Sequence, residues 1–361
     1  MKKINGVNLI KVFSFITIFL LHIEDISGMD SVNIARYGVY LFVILSGFLS
    51  MYNYEERIKD VNLKSTLGFV KKKVLKFYPL FLIALIIKAP VSLLKYYYEF
   101  NGFGISFFVN SSLRLLSSLF LIQAFFPNDN YHFAFNGVSW FLDILIFCYF
   151  FTPLLVNQIK RISKKRALIF LIGLIVLQII IQICVDRFVK NDYWYYIFPP
   201  YRFLDYLAGM LLCKILKDHL KEKNSSDIAY SIFEIIIIAI NILFIVFKMY
   251  MCSELVYLLS LITIFVYIQN KGIISQKLNK TKIINTMCNI NIELFLLHQP
   301  IIKYIEFVVG KVNICSTLFN VFATIVTFAI IVLISIILHK VLEKKQMGGN
   351  IIERNFKKNS N

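Results

Sequence analysis

The segment VNLIKVFSFITIFLLHI, residues 7–23, decides how this chain is read. Nearly every position is apolar and the run is long enough to cross a bilayer as a helix. Lys11 and His22 break the pattern. An ionisable side chain inside a membrane helix is costly, which makes each a functional-site candidate. Eleven residues at ~100° each leave the two side chains within roughly 20° of one helix face, about 16 Å apart along the axis. That face carries a cation near one membrane surface and an imidazole well inside. Lys2 and Lys3 precede the run as in a signal sequence, but no small-residue cleavage site follows, so the segment reads as an uncleaved first transmembrane helix.

Comparable runs recur along the whole chain. The expected spans are Val7 to Ile23, Ile34 to Met51, Val74 to Leu94, Gly137 to Asn157, Ala167 to Val185, Pro200 to Leu216, Ile228 to Phe247, Leu255 to Gln269, Ile284 to Phe307 and Thr317 to His339. Ile105 to Phe126 is a further helical stretch; Arg114 and its serines place it at the interface or in a re-entrant position. The 361 residues are 58% hydrophobic and only 17% charged, too apolar for a soluble domain. The expected fold is therefore all-α: a polytopic membrane helix bundle of about ten transmembrane helices in one domain, residues 1–342, with a short basic tail over 343–361.

The net charge of +18 does not point to nucleic acid, because Lys and Arg cluster in alternate loops. They are dense around Arg57 to Lys73, Lys160 to Arg166, Lys214 to Lys223, Lys271 to Lys282 and Lys340 to Lys358. They are sparse in Asp25 to Arg36, Asn128 to Asn136, Asp186 to Asp192 and Lys248 to Glu254. With ten spans every dense stretch falls on one side, which places both termini in the cytoplasm of a multi-pass cell-membrane protein. The six cysteines are scattered without a CxxC pair and read as small buried hydrophobes. No metal-ligand spacing appears, so no metal site is expected.

The remaining polar residues allow a bland and a functional reading. Lys73 and Lys76, followed by Tyr78 and Pro79, suit phosphate groups at a membrane mouth, or simply anchor the inner side of a helix. Ser46-Gly47 suits close helix packing better than a catalytic role. Asp143, just after Ser139-Trp140, could pair with Arg202, as could Asp205; either a structural ion pair or substrate binding would explain them. Glu293 and His298 stand five apart and call for different partners. His132 reads as a solvated loop histidine, and His219 and His339 as residues near the inner surface.

These residues recur in an order that resembles the acyltransferase 3 family, integral membrane acyltransferases that modify surface polysaccharides and related glycans. The resemblance covers nearly the whole chain. It rests on Lys11 and His22, on Leu41-Phe42 through Ser46-Gly47-Phe48, and on Lys73 and Lys76 before Tyr78-Pro79. It continues through Ser139-Trp140 with Asp143, Tyr149 and Pro153, Arg202-Phe203-Leu204 with Gly209-Met210, and Leu297-His298-Gln299-Pro300. This chain departs from the pattern by carrying Lys at 11, 73 and 76 where the family has Arg, and Asp at 143 where it has Glu. Lys keeps the charge but grips phosphate as a point, not as a fork.

The resemblance implies transfer of an acyl group, most simply acetyl, from cytoplasmic acyl-CoA to a hydroxyl of a surface or lipid-linked glycan. Acetyl-CoA would be the donor substrate, with no permanently bound cofactor. His22 would serve as general base or as acyl carrier. Lys11, Lys73 and Lys76 would bind the donor, while Asp143, Arg202, His298, Ser46 and Trp140 would orient His22 or the acceptor. The expected partners are the acyl-CoA, the glycan acceptor and the bilayer, and a homo-oligomer is compatible with the reading. A glycan or lipid-intermediate transporter is the alternative; it would also want a polar interior, but would not consume acyl-CoA. A structural partner of a synthase complex would leave the intramembrane charges unexplained.

Overall fold

Where the bilayer offers no hydrogen-bonding partner, the backbone must satisfy itself, and a chain this apolar does so as helices. The computed structural model describes residues 4–28, 34–59, 61–221, 227–311 and 316–359, and among these residues no strand occurs. The long helices are α1 Gly6–His22, α2 Ala35–Tyr54, α3 Leu63–Glu99, α4 Ile105–Leu119, α5 Trp140–Ile159, α6 Lys164–Cys184, α7 Pro199–Leu216, α8 Ile228–Val246, α9 Ser253–Tyr267, α10 Asn291–Val309 and α11 Thr317–Asn359. Local sequence sets several starts. Asn62 accepts from Ser65 N at 2.8 Å while its own N–H donates to Ser65 Oγ at 3.1 Å, a capping box that opens α3. Ser163 caps α6 by accepting from Arg166 N at 3.3 Å.

Among the described residues six helices are long and apolar enough to cross a membrane: α2, α3, α5, α6 with its extension to Val189, α8, and α11 as far as Lys344. A helix also lies in each of the other expected spans, but α1 and α9 are shorter, and α7 and α10 carry Arg202 with Asp205 and Glu293 with His298. The difference has a physical basis. The more polar helices sit against other helices, whereas the strongly apolar ones turn a bare face outward. The apolar stretch of α2 is 78% buried, against 17% for α8. The core is built around α2, which packs on α1, α5, α7 and α9. The basic tail from residue 345 on lies outside the residues whose side chains are described, and Cys315 lies outside the described residues. Cys148 and Cys213 are buried as expected, whereas Cys184 and Cys252 are exposed, because they lie near helix ends on outward faces of the bundle.

Two glycines let the central helices touch backbone to backbone. A Cβ on Gly47 of α2 would overlap the Tyr206 carbonyl of α7, and one on Gly209 of α7 would overlap the Ile44 carbonyl of α2. This is the small-residue packing expected for Ser46-Gly47; Ser46 Oγ donates to the Phe42 carbonyl of its own helix at 2.7 Å. α4 is two-faced. Ile105, Phe108, Val109, Leu113 and Leu116 are exposed, while Arg114 turns inward and grips Glu99 with two bonds of 2.8 and 2.6 Å.

The basic loops gather at one end of the bundle. Lys214 Nζ donates to the Lys160 carbonyl at 3.0 Å, Lys217 pairs with Glu55, and Lys164 pairs with Asp218 at 2.6 Å. The start of α1 lies with the Lys271–Lys282 stretch, where Leu9 N donates to Asn279 Oδ1 at 3.1 Å. The opposite end carries the Arg36–Asp192 pair and the Lys303–Asp25 pair.

Candidate active site

Two cavities face opposite ends of α2 and α5. The first, of ≈ 710 Å³, lies at the basic end and is lined by Tyr54, Arg57, Lys59, Phe69, Lys72, Lys73, Lys76 and Pro153 among others. The second, of ≈ 270 Å³, is lined by Ile18, Leu21, His22, Val39, Phe133, Gly137, Trp140, Phe141, Tyr196, Phe295 and Gln299 among others. On α2, Tyr54 at the first cavity and Val39 at the second are about 22 Å apart along the axis. On α5, Pro153 and Trp140 are separated by about 20 Å.

At the basic cavity the expected pair meets, with a difference between its members. Lys76 is exposed. The Lys73 ammonium is enclosed by three rings, 4.7 Å from the Tyr54 centroid, 4.8 Å from Tyr149 and 5.5 Å from Phe69. Such a cage holds a cation through the negative faces of the rings. Arg57, Lys59 and Lys72 complete the positive lining; they were hidden in the sequence among ordinary inner-loop charges.

In the second cavity His22 is half-buried at the end of α1. Behind it stands His298, fully buried, with the two rings 5.1 Å apart between centroids. Phe15 meets His298 edge-on at 5.7 Å. His298 Nδ1 lies 3.1 Å from the Leu294 carbonyl. A carbonyl only accepts, so Nδ1 carries the hydrogen and Nε2 keeps a lone pair. That Nε2 is buried and has no partner among the described residues. Gln299, the next residue, accepts from Gly137 N through Oε1 at 2.6 Å. In the sequence Gln299 has no role beyond its place beside His298; its amide in an apolar run was the signal.

The other expected residues go elsewhere. Lys11 lines neither cavity; its carbonyl accepts from Asn291 Nδ2 at 3.3 Å. Arg202 pairs with Asp205 of its own helix at 2.8 Å, both side chains fully buried, and lies 4.1 Å over the Tyr40 ring. Its neighbours are not His22 but an amide–phenol cluster, in which Gln182 Nε2 donates to Tyr201 OH at 2.7 Å and Gln178 Nε2 to Tyr257 OH at 3.0 Å. Asp143 is one turn below Trp140 on α5 but serves the chain beyond α4: its Oδ2 accepts from Ala124 N at 2.7 Å. That segment is fastened further by Gln123, whose Nε2 donates to Ser139 Oγ at 2.9 Å and to the His132 carbonyl at 3.0 Å.

One histidine differs from expectation. His132 is not solvated but 1% exposed, stacked on Tyr193 with 5.5 Å between centroids and 3.1 Å from Asp129 through Nε2. Burial pushes its imidazole below the ordinary value. The aromatic run after Asp192 folds back over it, which no local pattern around His132 reveals. His339 takes Glu293 as partner at 2.8 Å, so Glu293 and His298 do have separate partners. Glu234, not singled out by the sequence, is fully buried and accepts from Ile274 N at 3.0 Å and Ser275 N at 3.3 Å. It thereby caps the first turn of the short helix Ile273–Leu278.

A profile of the acyltransferase 3 family, described as an acyltransferase domain, matches residues 4–339. No curated protein matches the chain, and no solved structure does.

Proposed function

This chain belongs to the acyltransferase 3 family, and from that membership we propose that it moves an acetyl group from cytoplasmic acetyl-CoA to a hydroxyl of a surface or lipid-linked glycan. It is a membrane acyltransferase. One observation carries it: α2 and α5 each border a cationic cavity at one end and the histidine cavity at the other. An extended donor with a charged head and a reactive tip matches a separation of roughly 20 Å. Basic residues gathered at the first cavity support a cytoplasmic position for that end under the positive-inside rule, in a reading with ten crossings and both termini inside.

In this reading Lys76, Arg57, Lys59 and Lys72 hold the phosphates of the donor as point charges and one fork. Lys73, caged by rings, sets the inner wall of that cavity. His22 takes the proton from the acceptor hydroxyl as its oxygen attacks the thioester carbon. His298 is a positioning residue: its locked tautomer leaves a buried, unpartnered Nε2 lone pair beside His22 that can accept the N–H of His22, leaving the other His22 nitrogen basic. Trp140, Phe141 and Tyr196 wall the acceptor side and exclude water. Arg202, Asp205 and Asp143 keep helices and loop in place around the cavity.

The test uses vesicles from glycan-bearing cells with the full chain inserted, supplied with labelled acetyl-CoA on the cytoplasmic side. Label should appear in the glycan with the native chain and vanish with His22→Ala, while insertion and donor binding are kept. Glycan labelling by His22→Ala at the native rate would sink the assignment of His22.

A further inference from the structure

The amide of Gln299 faces the histidine cavity with one end tied and the other free. Its Oε1 accepts from Gly137 N at 2.6 Å. A flipped amide would set an N–H against an N–H, so this bond fixes which end is which. Nε2 then has no partner among the described residues, and the residue lines the same cavity as His22. The mount is rigid. Asn136 Nδ2 donates to the Leu296 carbonyl at 3.0 Å, so two consecutive loop residues clamp α10 beside Gln299. An added Cβ at Gly137 would fall 2.8 Å from Nε2 and 3.1 Å from Oε1, so an alanine there would push the amide aside.

We infer that Gln299 Nε2 is the donor that stabilises the oxyanion formed during acyl transfer, a role that rests on the acyl-transfer reading above. The acceptor oxygen bonds to the thioester carbon while His22 takes its proton. The carbonyl π pair moves onto the carbonyl oxygen, and the resulting anion accepts a hydrogen bond from Nε2. When the carbonyl re-forms, the C–S bond breaks, the thiolate leaves and the proton on His22 passes to sulfur. A fixed donor in a site shielded from water stabilises that charge without reorganising.

The experiment separates this role from a structural staple. Gln299→Glu keeps an oxygen for Gly137 N–H but removes the free NH2. In the vesicle assay it should lower kcat by about 10²–10³-fold, the usual loss for one oxyanion donor, with the KM for acetyl-CoA unchanged. The donor is then replaced by its dithioester analogue, whose C=S accepts hydrogen bonds poorly. The native chain should strongly prefer the oxygen donor, and Gln299→Glu should lose that preference. Gly137→Ala, which keeps the amide but displaces it, should lower kcat in the same direction by less, and it stands in if Gln299→Glu does not fold. A native chain that labels glycan, with variants that retain either turnover or the oxygen preference, overturns the role of Gln299 alone. A native chain that labels no glycan overturns both readings.

Discussion

At Asp205 a fully buried carboxylate stands 2.8 Å from an equally buried guanidinium, Arg202. Removing one partner of such a pair strands the other charge, which costs about 3–5 kcal/mol. Asp205→Ala should therefore sharply lower the thermal midpoint in detergent, and the double variant Arg202→Met with Asp205→Leu should recover most of the loss. A double variant as unstable as the single one would show that the surrounding cluster needs the charges themselves. The sequence offered Asp143 and Asp205 as partners for Arg202 without choosing. Position i+3 on one helix favours Asp205, but the choice is sealed by Asp143 being engaged with Ala124 N, a contact across nineteen positions. His132 makes the same point: its burial depends on Tyr193, which is remote in sequence.

Two helices that approach until only glycine fits are the element-scale feature of this bundle. At Gly209 an alanine would drive a methyl group into the Ile44 carbonyl, and overpacking of that kind costs about 1–3 kcal/mol. Gly209→Ala should lower the thermal midpoint and reduce folded yield. Gly173 of α6, with nothing within 4 Å of its would-be Cβ, is the control: Gly173→Ala should be neutral or stabilise by up to about 1 kcal/mol through helix propensity. Equal effects at both positions would contradict the close approach of α2 and α7. The sequence marked Ser46-Gly47 as a packing site; it did not say that α7 is the partner, because spacing within one helix carries no information about which neighbour meets it. The helix stretches were legible because hydrophobic runs of that length have few alternatives in a bilayer.

For the whole molecule, the two-ended arrangement makes a separable prediction. Lys76→Gln combined with Lys72→Gln should raise the KM for acetyl-CoA about tenfold, since two exposed, solvent-screened contacts of up to about 1 kcal/mol each are removed, while kcat stays near native. His22→Ala should do the reverse. If both substitutions acted on kcat alone, the basic cavity would not be the donor's entrance. Sequence alone determined that this chain is helical, membrane-embedded and polarised, since apolar run length and the placement of Lys and Arg are properties of the linear chain. It also singled out His22, because an ionisable residue in an apolar run stands out by composition. Tertiary structure alone decided which polar residues share a cavity. It brought His22, Trp140 and Gln299 together with His298 behind His22, sent Lys11, Arg202 and Asp143 elsewhere, and enclosed Lys73 in aromatic rings. The physical reason is that a buried polar group takes its partner from whatever helix packs beside it, and in a bundle that neighbour comes from distant sequence.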